Sequence, residues 1–254
     1  MPTAVLLSGG LDSAVLLADE AARGEVQPVY VSVGLAWEAA ERAMVSQFLA
    51  YARFHGRVRP LVSLSVDMRD VYAASHWAVE GRPPAYHTPD EDVYLPGRNI
   101  VLLGKAGVYC AAAAIDRLVL GTLAHNPFPD ATPEFRAAMA RALTLGLAHV
   151  LQIDAPFAGS SKAEVIKRGI ELGLPLELTL SCMNPVVARG SSLVARSSEL
   201  GTRAGHEQRA TRNEPPDLPL HCGTCSKCRE RHDAFLELGL ADPTVYQDER
   251  HVRA

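Results

Sequence analysis

Five short apolar runs, residues 3–8, 28–33, 59–66, 116–121 and 151–156, punctuate the chain, and the stretches between them carry apolar residues at helical spacing. Helices are predicted over 13–23, 37–54, 98–115, 133–149 and 161–172, the first stopping at Gly24 and the last at Gly173, where a left-handed cap is expected. Few folds accommodate such an alternation. It specifies the α/β class: a Rossmann-like parallel sheet of about five strands, each buried on both faces, with helices on both sides and right-handed crossovers. The ligand site of such a sheet lies at the carboxyl ends of the strands.

The alternation fades after residue 175. Residues 189–219 are polar, lack any aromatic residue and carry no apolar stripe, so we divide the chain into a binding domain at 1–175 and a C-terminal module at 176–254 with a long polar loop at 183–220. At 254 residues and 48% hydrophobic, the chain can bury a core of that extent. Its 25 basic and 29 acidic residues give a net charge of −4, which supplies no general field for a nucleic-acid backbone and favours a small-molecule substrate. Met1-Pro2-Thr3 leads straight into the first strand-like run without a basic leader, and no apolar run approaches a membrane span. We read the protein as cytoplasmic, with no membrane partner.

The junction of the first strand and helix reads Leu7-Ser8-Gly9-Gly10-Leu11-Asp12-Ser13. The two glycines let backbone approach a ligand closely. The helix start offers free N–H groups and a positive dipole end, and the two serines add hydroxyl donors, so the stretch suits phosphate. Asp12 or Ser13 could instead merely cap the helix. Neither the lysine of a Walker loop nor a G-x-G-x-x-G pattern is present, which indicates a different nucleotide chemistry.

Three of the five cysteines, Cys222, Cys225 and Cys228, stand at C-x2-C-x2-C spacing with small residues between them, which suits a metal knuckle. Cys182 supplies a fourth thiol, while His221 and His232 compete with it as ligands. An iron–sulfur cluster is the alternative to zinc. A closed four-thiolate site would be structural, having no open position for water. Cys110, in an apolar helical stretch, reads as a packed, inert thiol. His76, His87, His125 and His149 show no ligand spacing and read as structural or exposed.

"SGGLDS" resembles the signature of the PP-loop ATP pyrophosphatases, which split ATP between its α- and β-phosphates. Within them the chain is similar to the 7-cyano-7-deazaguanine synthase family, on four further stretches in the same order: "YLPGRNIVLL" (94–103), "PDATPEF" (129–135), "SSKAEVIKRGIELGLPLELTLSC" (160–182) and "HCGTCSKCRERHDAF" (221–235). The resemblance implies that residues 7–13 bind ATP, that Arg98 and Asn99 lie near the nucleotide, and that Lys162 contacts the phosphates or the adenylate. Asp12, Ser13, Lys162 and Arg98 are its implied catalytic residues. Cys182, Cys222, Cys225 and Cys228 are its implied structural zinc ligands, and Mg²⁺ accompanies the departing pyrophosphate. Asp130 is left between substrate contact and a cap for the following helix. The implied reaction converts 7-carboxy-7-deazaguanine and ammonia to the 7-cyano base through an adenylate and an amide, in a homodimer.

Two stretches depart from the family. The acid and amide usual after the second strand are missing from "SVGLAWEAAE" (32–41), and "GTLAHNPFPDA" (121–131) shifts an asparagine and drops an acid. The rival readings are a PP-loop enzyme that joins an adenylated base to another amine or to a protein, a zinc-knuckle nucleic-acid binder and a tRNA thiolase.

Overall fold

The computed structural model describes residues 1–51, 56–186 and 218–252. Most of the loop expected at 183–220, and residues 52–54 of the helix expected at 37–54, lie outside the described residues. Strands β1 (Thr3–Leu6), β2 (Val26–Ser32), β3 (Val62–Ser65), β4 (Arg117–Val119) and β5 (Gln152–Asp154) form one parallel sheet in the order β3-β2-β1-β4-β5. Helices α1 (Leu11–Arg23), α2 (Glu38–Ala50), α3 (Trp77–Glu80), α4 (Arg98–Ala112), α5 (Pro133–Leu147), α6 (Lys162–Glu171) and α7 (Ser226–Glu237) connect and flank the strands, with short 3-10 helices at Asp90–Val93, Pro129–Ala131 and Leu176–Leu178. The order of the sheet reverses at β1. Its two neighbours, β2 and β4, diverge there and leave a crevice at their carboxyl ends.

Each face of the sheet has its own core. Leu11 and Val15 of α1 pack with Phe48 of α2, Val165 and Ile166 of α6, and Ala234 and Phe235 of α7. Leu103, Ala106 and Cys110 of α4 pack with Ile115, Leu118, Leu151 and Ile153 on the other face. Burying each such aliphatic side chain contributes about 1.5–3 kcal/mol, so loss of either layer would unfold the domain.

Burial on both faces holds for the inner strands and fails at the edges: Ser63 and Ser65 of β3 and Gln152 of β5 are exposed. An edge strand has a neighbour on one side only, and here its second face is left partly uncovered. The left-handed Gly173 after α6 is present, with φ +66°. At the start of α6, Ser161 Oγ accepts from Glu164 N at 3.2 Å while Glu164 Oε2 accepts from Ser161 N at 2.7 Å. This reciprocal cap sets the helix entry one residue ahead of Lys162. Among the described residues no helix is long and apolar enough to cross a membrane.

Candidate active site

A cavity of about 250 Å³ opens at the carboxyl ends of β1, β2 and β4. Leu7, Ser8, Gly10, Asp12 and Ser13 line one part of it, and Tyr94, Arg98, Asn99, Phe128 and Asp130 another. The chain makes its turn from β1 into α1 at Gly9, whose φ is +82°. A Cβ there would lie 2.9 Å from Val45 Cγ2. Gly121, at the end of β4, comes so close to α1 that a Cβ would stand 3.3 Å from Ser13 N. These two positions bring backbone against backbone around the helix start.

Neither Asp12 nor Ser13 caps α1. Gly10 is the N-cap residue and makes no side-chain cap bond. The Ser13 hydroxyl donates to Gly10 O at 2.9 Å and accepts from Ser8 N at 3.2 Å, so it braces the loop from within. Helix geometry leaves the first N–H groups of α1 without intrahelical acceptors, beside the cavity. Leu7 and Leu11 are buried in the core, so only their backbone could meet a ligand. Gly9, Leu11 and Lys162 are not among the residues that line the cavity.

Lys162 Nζ donates to Asp12 Oδ2 at 2.7 Å and lies 3.0 Å from Glu230 Oε1 on α7. Burial works against the ammonium, but Asp12 and Glu230 outweigh it and hold its pKa above the usual lysine range. For Asp12, burial wins over the neighbouring Lys162 and raises the carboxyl. Asp12 Oδ1 is buried with no hydrogen-bond partner, as is Arg98 Nε. One acceptor and one donor of the site are therefore left without a protein partner.

Arg98 and Asn99 are the first two residues of α4, where the helix expected from residue 98 places them; Gly97, with φ +77°, takes the N-cap position. Asp130 does not cap α5. Thr132 caps α5 by accepting from Phe135 N, and Asp130 instead accepts from Asn99 N at 3.3 Å and Asn99 Nδ2 at 3.2 Å. Burial raises the Asp130 carboxyl against these bonds. The rings of Tyr94 and Phe128 stack at 5.1 Å between centroids and offer apolar wall to a planar ligand.

Sequence reasoning missed Glu38 and Glu41 of α2. Glu38 accepts from Val33 N at 2.7 Å and from the Ser32 hydroxyl, closing the end of β2. Glu41 lines the cavity, accepts from Tyr30 Oη at 2.9 Å and Trp37 Nε1 at 3.1 Å, and is pushed up to about 7 by burial, against the pull of Arg98. Two acids three apart on a helix read as a solvated face, and only the fold shows them buried.

The four thiols of Cys182, Cys222, Cys225 and Cys228 come within 4.8 Å of one another, all buried. A tetrahedral ion with bonds of about 2.3 Å places its sulfurs about 3.8 Å apart. The measured separations are 4.0 Å for Cys182–Cys225, 3.8 Å for Cys222–Cys228 and 3.5 Å for Cys225–Cys228, so the set could hold a metal. Backbone N–H groups of Cys222 and Asn184 point at Cys182 Sγ at 3.2 and 3.3 Å and favour a thiolate there. His221 and His232 fall outside the set. His221 Nε2 accepts from Ser181 N at 3.1 Å, and burial drives this imidazole down to about 3, so it stays neutral. Cys110 is packed in the α4 core, its thiol pushed up to about 12 by burial.

Comparison with known proteins fits this geometry. The family model described as "Queuosine biosynthesis protein QueC" matches residues 3–239. The chain belongs to the QueC family. Its relatives include the 7-cyano-7-deazaguanine synthase of Methanopyrus kandleri, 32% identical over 96% of this chain and 98% of that protein. The corresponding enzyme of Thermoplasma volcanium is 30% identical over 95% of this chain and 89% of its own length. That of Anaeromyxobacter dehalogenans is 31% identical over 95% and 94%. The family expected from the five motifs is thus the one found, and the match extends over both the loop at 7–13 and the cysteines.

Proposed function

We propose that this QueC-family chain makes 7-cyano-7-deazaguanine from 7-carboxy-7-deazaguanine and ammonia in an ATP-dependent reaction. The observation that carries the reading is the family match over residues 3–239, in a chain whose phosphate loop opens directly on the cavity. A carboxylate oxygen leaves poorly, so its attack on the α-phosphorus of ATP, with loss of pyrophosphate, turns it into a good leaving group. Ammonia then displaces AMP and forms the amide. A second adenylation, on the amide oxygen, lets that oxygen depart with AMP as the nitrile forms.

The residues divide this work. The first N–H groups of α1 and the hydroxyl of Ser8 hold the charge that gathers on the departing pyrophosphate, in a loop that Ser13 braces. The open Arg98 Nε provides a donor for the acceptor carboxylate, and the Tyr94–Phe128 pair provides faces for its heterocycle. Asp12 Oδ1 suits Mg²⁺ or its water, and the ion there would supply charge neutralisation of the phosphates. The four cysteines suit zinc, which would crosslink the C-terminal segment to the residues around Cys182.

Both departures from the family pattern reach the cavity wall, since 32–41 contributes Glu41 and 121–131 contributes Asn126, Phe128 and Asp130. This favours, as a second reading, adenylation of a different carboxylated base, followed by its capture by another amine or a protein. Calorimetry with 7-carboxy-7-deazaguanine and a non-hydrolysable ATP analogue separates the two. Binding of both supports the synthase; nucleotide bound normally with no binding of that base supports the second reading.

A further inference from the structure

Glu230, in the C-terminal module, is linked to the start of α1 through Lys162. It sits on α7, two residues after Cys228, with Lys162 Nζ 3.0 Å from its Oε1 and Lys227 Nζ 2.5 Å from its Oε2. Lys162 in turn holds Asp12 Oδ2 at 2.7 Å. Three elements far apart in sequence, the starts of α1 and α6 and the first turns of α7, thus meet in a set of two carboxylates and two ammoniums. Exposure of the Lys162 side chain is 13% and that of Glu230 22%, so neither charge is free to seek water instead.

We propose that Glu230 is a positioning residue that fixes Lys162 against Asp12 and so holds the Asp12 carboxylate in place at the cavity wall; this rests on the ATP reading above. A lysine ammonium rides on a flexible stem and keeps one direction only when several acceptors hold it. With Glu230 in place, Asp12 Oδ2 is occupied by a fixed donor, while Oδ1 has no protein partner. Without it, a half-buried ion pair loses a partner and its remaining members rearrange. A misplacement of about 1 Å at a reacting group can cost on the order of a hundred-fold in rate, while ground-state affinity changes little.

Two readouts on Glu230→Gln test this, and the first needs no turnover. Amide hydrogen exchange at residues 10–13 of the nucleotide-free protein is expected to speed up, with metal content unchanged. In turnover, kcat for AMP formation is expected to fall about ten-fold or more while KM for ATP stays within about three-fold, and Glu230→Asp is expected to recover part of the loss. Wild-type exchange at 10–13, or unchanged kcat, overturns the assignment, and so does loss of metal together with a parallel fall in every parameter. Lys227→Gln, which removes only the second partner of Glu230, guards against misfolding of the first variant. It is expected to lower kcat by about three-fold, and an unchanged value counts against the proposal. Wild-type protein that forms no AMP would remove the ATP reading and leave the exchange result to decide the positioning role.

Discussion

Leu180 donates its backbone N–H to the carbonyl of Gly9 at 2.7 Å, two residues ahead of Cys182. The segment that carries the most distant thiol therefore runs directly beside the phosphate loop. Stripping the metal with a chelator, or Cys182→Ser, is expected to lower metal content from one ion per chain to none and to speed hydrogen exchange at both 179–182 and 8–11. Full occupancy of a colourless ion in Cys182→Ser would contradict the four-thiol assignment, and a brown, iron-containing protein would contradict zinc.

Gly9→Ala places a side chain where φ is +82° and the nearest atom, Val45 Cγ2, is 2.9 Å away. Strain and contact together cost about 1–3 kcal/mol, which the loop can relieve only by moving. Affinity for a non-hydrolysable ATP analogue should weaken about ten-fold or more by calorimetry, with the far-UV spectrum unchanged.

Asp130→Ala removes the acceptor shared by two Asn99 donors. Asn99 Nδ2 keeps the Asp130 carbonyl at 3.1 Å, so only the Asn99 N–H is left unpaired, at a cost of about 1–3 kcal/mol, and Tm is expected to fall by roughly 2–10 °C, and by less in Asp130→Asn. A scan showing equal Tm for all three proteins would mean that Asn99 finds other partners.

Glu41 gives a pH signature. Its carboxyl stands at about 7 in the folded chain against an ordinary 4.5, so folding favours the protonated form. That contribution is fully present below about pH 4.5 and disappears as pH rises through 7, by at most about 3 kcal/mol. Relative to wild type, Glu41→Gln should therefore gain stability between pH 5 and pH 8 in paired denaturant titrations. A difference that stays flat over that window contradicts the burial argument.

Much of the site was legible because its signals are local. A strand, two glycines and a helix in immediate succession leave one way to turn, and C-x2-C-x2-C places its thiols together whatever surrounds them. Cys182 was legible as a candidate, but choosing it over His221 required seeing the imidazole accept from Ser181 N. Glu41 and Glu230 were not legible, because an acid on a helix looks the same whether solvent or a buried partner faces it. Asp130 was recognised without its role, since its partner Asn99 lies 31 residues away and only the packing of α4 brings them together. The exposed faces of β3 and β5 depend on sheet order, which apolar runs alone do not encode.

The adenylation chemistry is tested most directly by resolving the nucleotide and base products after incubation with ATP, 7-carboxy-7-deazaguanine and an ammonium salt. The account predicts AMP and pyrophosphate, formed only when the base is present, together with 7-cyano-7-deazaguanine and an intermediate amide that the enzyme accepts when supplied alone with ATP. ADP and orthophosphate as the primary products, or AMP formed without any change in the base, would contradict it.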